Sequence, residues 1–245
     1  MLVKSQVKYI QSLSQKKQRD EEGLFVAEGP KIINEFLQAP NLPLRLLFAT
    51  QQWMDENPAL TASLRKDQVE LITESELERI SFLSTPNQVL ALFEKPEFPP
   101  LTGKQLILVL DRIQDPGNLG TIIRCADWFG IRQVVCSPET ADVFSPKVVQ
   151  STMGSLTRVQ LVYTDLSAFL QTYSAPVFAA LLEGKPVKEM GKQAEGAILI
   201  GNESKGIHPD LLKGKNLIPV TIPRIGAAES LNAAVATGIL LSQLT

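Results

Sequence analysis

Three polar clusters interrupt the apolar runs of this 245-residue chain, and each holds residue types able to do chemistry. The first, Asp111 to Gly120, follows an apolar run and leads to Arg124. Asn118 has the side chain of a helix N-cap, Gly120 lets another backbone approach, and Arg124 is expected one turn into the helix that follows. A cation near the positive end of a helix works against the macrodipole, so an anion such as phosphate would account for Arg124. A plain capped helix with a surface arginine explains the same spacing. The second cluster, Gly201 to Ile207, ends an apolar run with glycines on either side of Glu203. Ligands of open α/β sheets bind outside the carboxyl ends of strands, where this carboxylate would fall; a simple glycine turn is the alternative. The third, Ile222 to Asn232, leads into an Ala- and Leu-rich helix expected over Ser230 to Leu241. Ser230 is placed to cap it and Asn232 to project from its first turn.

Several chemistries lose their basis in the composition. His208 is the sole histidine, which disfavours a histidine base or a multi-histidine metal centre. Cys125 and Cys136 form no Cys-x-x-Cys, so neither a disulfide framework nor a zinc site is expected, and no metal is assigned. The first cluster lacks the Gly-x-Gly-x-x-Gly of dinucleotide-binding folds, which disfavours a nicotinamide-dependent oxidoreductase. A net charge of −2 leaves any polyanion partner to a local basic face. One candidate is the N-terminus, where Lys4, Lys8, Lys16, Lys17 and Arg19 precede the first acidic residue. A solvated helix face explains those lysines equally well. No apolar run reaches membrane-spanning length and the N-terminus shows no apolar signal core, so no membrane partner and a cytoplasmic location are expected.

The elements that must position the clusters divide at a proline-rich break, residues 95–103. Before it, Val3, Val7, Ile10 and Leu13 keep helical spacing, Phe25 to Ala27, Leu44 to Ala49, Val69 to Thr73 and Val89 to Phe93 read as strands, and Glu74 to Ile80 as a helix. This is a small α/β domain over residues 1–96, with a linker at 97–104. Beyond it, residues 105–245 alternate strands with helices. Leu106 to Leu110, Gln133 to Cys136, Val177 to Leu181, Ala197 to Ile200 and Leu217 to Val220 are the strands, as expected for a mostly parallel sheet with helices on both faces.

In order, Asn118-Leu119-Gly120 with Arg124, Gly201-Asn202-Glu203 with Gly206-Ile207, and Ile222-Pro223 with Gly226 and Ser230-Leu231-Asn232 resemble the three motifs of the SpoU (TrmH-type) family. These are RNA ribose 2′-O-methyltransferases of the SPOUT superfamily, and the resemblance covers Gln105 to Thr245. Phe25-Val26-Ala27-Glu28-Gly29 is similar, less closely, to the small RNA-binding domain that precedes the catalytic domain in many members. The resemblance implies an S-adenosyl-L-methionine-dependent enzyme with a C-terminal trefoil knot, paired as a homodimer. It assigns cofactor contacts to Gly201, Ile222 and Leu231, and the polar active-site set to Asn118, Arg124, Glu203, Ser230 and Asn232. Because guanidinium is effectively never deprotonated, Arg124 fits a clamp on RNA phosphate better than a base. Lys4, Lys8, Lys16 and Lys17 would add RNA contacts. The N-terminal domain favours 23S ribosomal RNA as substrate; transfer RNA, or a non-catalytic RNA-binding or ribosome-assembly role on the same fold, are the alternatives.

Overall fold

The structure, a computed structural model, describes residues 1–98 and 105–245. Of the linker expected at 97–104, residues 99–104 lie outside the described residues. Two compact units form: Met1–Glu97 with Asp142–Thr157, and Phe98–Ala141 with Arg158–Thr245. By chain order alone Asp142–Thr157 falls in the second domain, whereas in space it belongs to the first unit.

The first unit is built on a four-stranded mixed sheet. Its strands are β1 (Leu24–Glu28), β2 (Leu44–Ala49), β3 (Val69–Leu71) and β4 (Val89–Glu94), in the order β1-β4-β2-β3. β4 runs antiparallel to both β1 and β2, and β3 pairs parallel with β2. The expected first helix is Lys4–Ser12; a second, Lys16–Glu22, follows and ends at Gly23, whose φ of 66° suits a glycine C-cap. Helix Glu74–Ile80 starts in a capping box between Thr73 and Glu76. Phe25 packs against Phe36 and Phe93, and Phe144 of the returning segment lies closer still, at 4.9 Å between ring centroids. Arg19, only 2% exposed, ties that segment in by donating to Asp142 at 2.5 Å and to the carbonyls of Leu13 and Ser14. Burial of an arginine in a run of charge has no sequence signature, because its partner lies far along the chain.

The second unit is an all-parallel sheet of six strands: β5 (Leu106–Leu110), β6 (Gln133–Cys136), β7 (Gln160–Tyr163), β8 (Val177–Pro186), β9 (Gly196–Ile200) and β10 (Leu217–Thr221). Their order is β10-β8-β9-β5-β6-β7. Every residue of β5, β6 and β9 is buried, so the middle of the sheet is covered on both faces, as the apolar runs require. From β5 the chain steps outward through β6 and β7, then crosses to build the other half. β5 and β9 are therefore neighbours at the point where strand order reverses, with Leu110 opposite Ile200. In open α/β sheets ligands bind outside the carboxyl ends of the strands at such a switch point. Helix Pro116–Trp128 follows β5 and packs against the C-terminal helix Ala233–Leu244, with Gly238 close to Cys125.

Candidate active site

Helix Pro116–Trp128 begins beyond the carboxyl end of β5, and its start decides where Asn118 points. Pro116 occupies the first turn, where a missing N–H costs nothing, and the Asp115 carboxylate accepts from Asn118 N at 2.8 Å. Asp115 is thus the N-cap, not Asn118 as expected, and the Asn118 side chain is released for other contacts. At the C-terminal helix the cap also differs from the expected residue, here in the opposite direction along the chain. Asn232 caps it, accepting from Ala234 N at 2.9 Å and Val235 N at 3.3 Å, while Ser230 is exposed and lies outside the helix.

Asn118, so released, and the capping Asn232 join the three clusters. Asn232 Nδ2 donates to Asn118 Oδ1 at 2.8 Å, and Asn118 Nδ2 donates to Glu203 Oε1 at 2.7 Å. Each of the two amides in this series is oriented by the groups that donate to its oxygen. Helix N–H groups hold Asn232 Oδ1, which leaves its Nδ2 for Asn118; the Asn118 oxygen is then taken, and its nitrogen must face the carboxylate. The half-buried Glu203 carboxylate receives a charge-assisted bond at the end of the series.

Arg124 stands apart from that series. It is the ninth of the 13 helical residues, not one turn in, so the macrodipole argument for an anion beside it does not hold. Six residues beyond Asn118, it projects about 120° round the helix axis from it. Its side chain is exposed, and among the described residues no hydrogen bond joins it to Asn118, Glu203 or Asn232. Of the remaining expected site residues, Gly201 begins the loop after β9. A Cβ there would overlap the backbone of Gly206 and Ile207, so no other residue fits without displacing that loop. Ile222 is half-buried and Leu231 is 46% exposed. Lys4, Lys8, Lys16 and Lys17 are exposed, but Lys16 pairs with Asp20 at 2.5 Å and Lys17 with Glu21 at 3.7 Å.

The cysteines offer no nucleophile. Burial pushes both thiols up, at Cys125 with the Arg124 charge pulling the other way, so neither is a thiolate near neutral pH. Among the described residues, no group of three or more His, Cys, Asp or Glu is placed to hold a metal ion.

Residues 105–242 match the model of the SpoU rRNA Methylase family. The chain belongs to the SpoU rRNA methylase family. Residues 4–91 match the MRM3-like substrate binding domain, the second part of the arrangement. The chain is 32% identical to the 23S rRNA (guanosine(2553)-2′-O)-methyltransferase RlmP of Bacillus subtilis, over 97% of this chain and 95% of that protein. Among solved structures it is similar to a TrmH-family protein from Porphyromonas gingivalis, with a TM-score of 0.87 and 38% identity, over 99% of this chain and 98% of that one. It is also similar to an AdoMet-bound rRNA methyltransferase from Sinorhizobium meliloti, with a TM-score of 0.85 and 33% identity over 99% and 95% of the two chains. The likeness to these solved structures therefore spans both units of this chain.

Proposed function

We propose that this protein methylates a ribose 2′-hydroxyl of ribosomal RNA, in 23S rRNA, using S-adenosyl-L-methionine. The observation that carries the reading is the oriented series Asn232–Asn118–Glu203 at the switch point of a SpoU-family sheet. The RlmP relative, matched over nearly its full length, supports a ribosomal substrate.

The loop after β10 suits the cofactor. Gly226 has no atom within 4 Å of a Cβ position, and Ile225 at 103% and Leu231 at 46% exposure offer apolar surface beside solvent-accessible backbone. Gly201, Ile222 and Leu231 are the residues we assign to hold it. Once bound, its sulfonium supplies an electrophilic methyl group. The chain's own task is to place the ribose hydroxyl in line and let its proton leave. Glu203 presents a fixed acceptor with one carboxylate oxygen held by Asn118. Arg124, always charged, fixes an RNA phosphate through its planar fork, and the hydroxyl proton passes to phosphate or solvent. Ser230, exposed and outside the helix, is assigned to the substrate face of the same site.

The reading extends to a trefoil knot and to a homodimer. Trp128 at 85%, Val235 at 52% and Leu231 at 46% exposure lie on or beside the two helices that a second copy would cover. Light scattering at micromolar concentration should give the mass of a dimer. The functional test is transfer of labelled methyl to fragments of 23S rRNA and to tRNA transcripts, with calorimetry of the cofactor. Binding together with ribose methylation of a 23S fragment is expected. Methylation of tRNA alone would move the substrate, and absence of both binding and transfer would overturn the reading.

A further inference from the structure

Glu203 sits in a short loop whose position is fixed by a neighbouring residue outside the three motifs' polar set. At the end of β5 the backbone turns left-handed at Arg112, with φ 56°, a conformation unusual for a residue carrying Cβ. Such outliers persist where surrounding contacts over-determine them. Here Arg112 N donates to Ser137 Oγ at 3.0 Å, and the guanidinium forks onto Asp111 at 2.9 Å through both Nε and Nη2. Asp111, buried, also accepts from His208 N at 2.7 Å, which holds the far end of the loop. The Arg112 carbonyl meets Asn202 Nδ2 at 2.9 Å. The other end of that amide closes the turn around Glu203, since Asn202 Oδ1 accepts from Ser204 N and Lys205 N, each at 3.0 Å. The backbones of Asn202 and Gly206 bond to each other in both directions, at 3.1 and 2.9 Å.

We infer that Asn202 is a positioning residue for methyl transfer. Its single side chain both folds the turn that carries Glu203 and tethers that turn to the Arg112 carbonyl, holding the carboxylate against Asn118. The inference rests on the methyltransferase reading of the site. Gly201 and His208 are fixed independently, by close packing and by Asp111, so the tether governs the middle of the loop and not its ends.

Asn202→Asp is nearly isosteric. It keeps the two accepted bonds and loses the donor to Arg112, placing a carboxylate against a carbonyl. Asn202→Ser keeps a shorter acceptor for the turn, loses the reach to Arg112 and adds no charge, so it serves if the aspartate variant fails to fold. Both are compared with the full-length wild type in single-turnover methylation at saturating RNA and cofactor, in cofactor calorimetry, and by amide hydrogen exchange at Gly206. The expected result is a single-turnover rate at least tenfold lower, a cofactor Kd within threefold, and faster exchange at Gly206. A merely structural role would lower the fraction of active protein and leave the rate constant of the folded fraction unchanged. A rate within twofold of wild type, with unchanged exchange, would overturn the inference while leaving the methyltransferase reading intact. If wild type itself neither binds cofactor nor transfers methyl, that reading fails, and unchanged exchange in the variants would still refute the tether.

Discussion

Residues 201–208 and residues 222–232 leave the same end of one parallel sheet, yet they are held in different ways. The first loop is bonded to itself through Asn202, anchored by Asp111 to His208 N, and packed so closely at Gly201 that a Cβ has no room. In the second, residues 223–232 are all exposed, a local bond joins Arg224 to the Ala228 carbonyl, and Asn232 closes it as a helix cap. Under the proposed function, the difference follows what each loop would do. A carboxylate that has to meet one hydroxyl gains from a fixed frame, since misplacement by an ångström is costly in rate. Backbone groups that are to receive a ligand must not already be bonded within the protein, so the second loop leaves them to solvent.

Two glycines give this comparison its sharpest test. Gly201→Ala should cost about 3 kcal/mol, at the upper end for overpacking, and lower the melting temperature by roughly 6–12 °C. Gly226→Ala should change stability by no more than about 0.5 kcal/mol, because nothing lies near the added methyl. Equal melting curves for the two variants would erase the distinction between the loops. The exposed loop should in turn gain most from ligand. S-adenosyl-L-methionine at a hundred times its Kd should stabilise the protein by about 2.7 kcal/mol, a rise of roughly 5–10 °C by scanning calorimetry, with slower amide exchange over residues 222–232. An unmoved melting curve would remove the cofactor from this loop.

The two halves of the site are unequally legible in the sequence. Strand β5 reads as a continuous apolar run because both faces are covered, and helix Glu74–Ile80 is marked by its capping box. The short β7, which opens on Gln160 and has mixed burial, carries no such run. The caps of both site helices differ from expectation for one reason: each has two cap-forming residues close together. Pro116 at the first helical position identifies Asp115, and the apolar Ala233 and Ala234 after Asn232 identify that residue over Ser230. Motif residues are legible as a set, but the order of donation through Asn232, Asn118 and Glu203 depends on three segments far apart in the chain. The destination of Asp142–Thr157 is equally hidden, since the partners of Phe144 and Asp142 are Phe25 and Arg19.

The packing of that segment shapes how the first unit can be probed. Deleting residues 1–96 would strip Phe144 of its ring contact with Phe25 and Val148 and Val149 of the core they are buried in, so surface substitutions are the cleaner route. Lys4→Ala with Lys8→Ala should reduce the salt slope of RNA affinity by roughly 1 for each phosphate no longer neutralised. Lys16→Ala with Lys17→Ala should do less, because Asp20 and Glu21 already offset those charges. Slopes unchanged in both pairs would assign the lysines to a solvated face. The smallest expected effect concerns Glu28, whose carboxyl is pushed up by burial against the opposing bonds from Ser81 Oγ and Phe82 N. With its folded pKa raised, the stability tied to the protonated form is complete below the ordinary glutamate range and declines as pH rises through the folded value. Glu28→Gln should therefore raise the melting temperature near pH 7.5 and lose that advantage near pH 4; a gain independent of pH would assign it to packing.

An oriented Asn232–Asn118–Glu203 series and a separate, exposed Arg124 together form the proposed methyl-transfer site. Arg124→Ala tests this division of roles most directly, with single-turnover methylation of a 23S rRNA fragment and cofactor calorimetry run on the same preparation. Transfer should be lost, by about a thousandfold or more if a catalytic charge-assisted clamp is removed, with cofactor affinity within a few fold of wild type. Arg124→Lys should fail nearly as badly, because an ammonium keeps the charge without the planar fork. Transfer retained within tenfold in Arg124→Ala, or loss of cofactor binding in place of transfer, would contradict it.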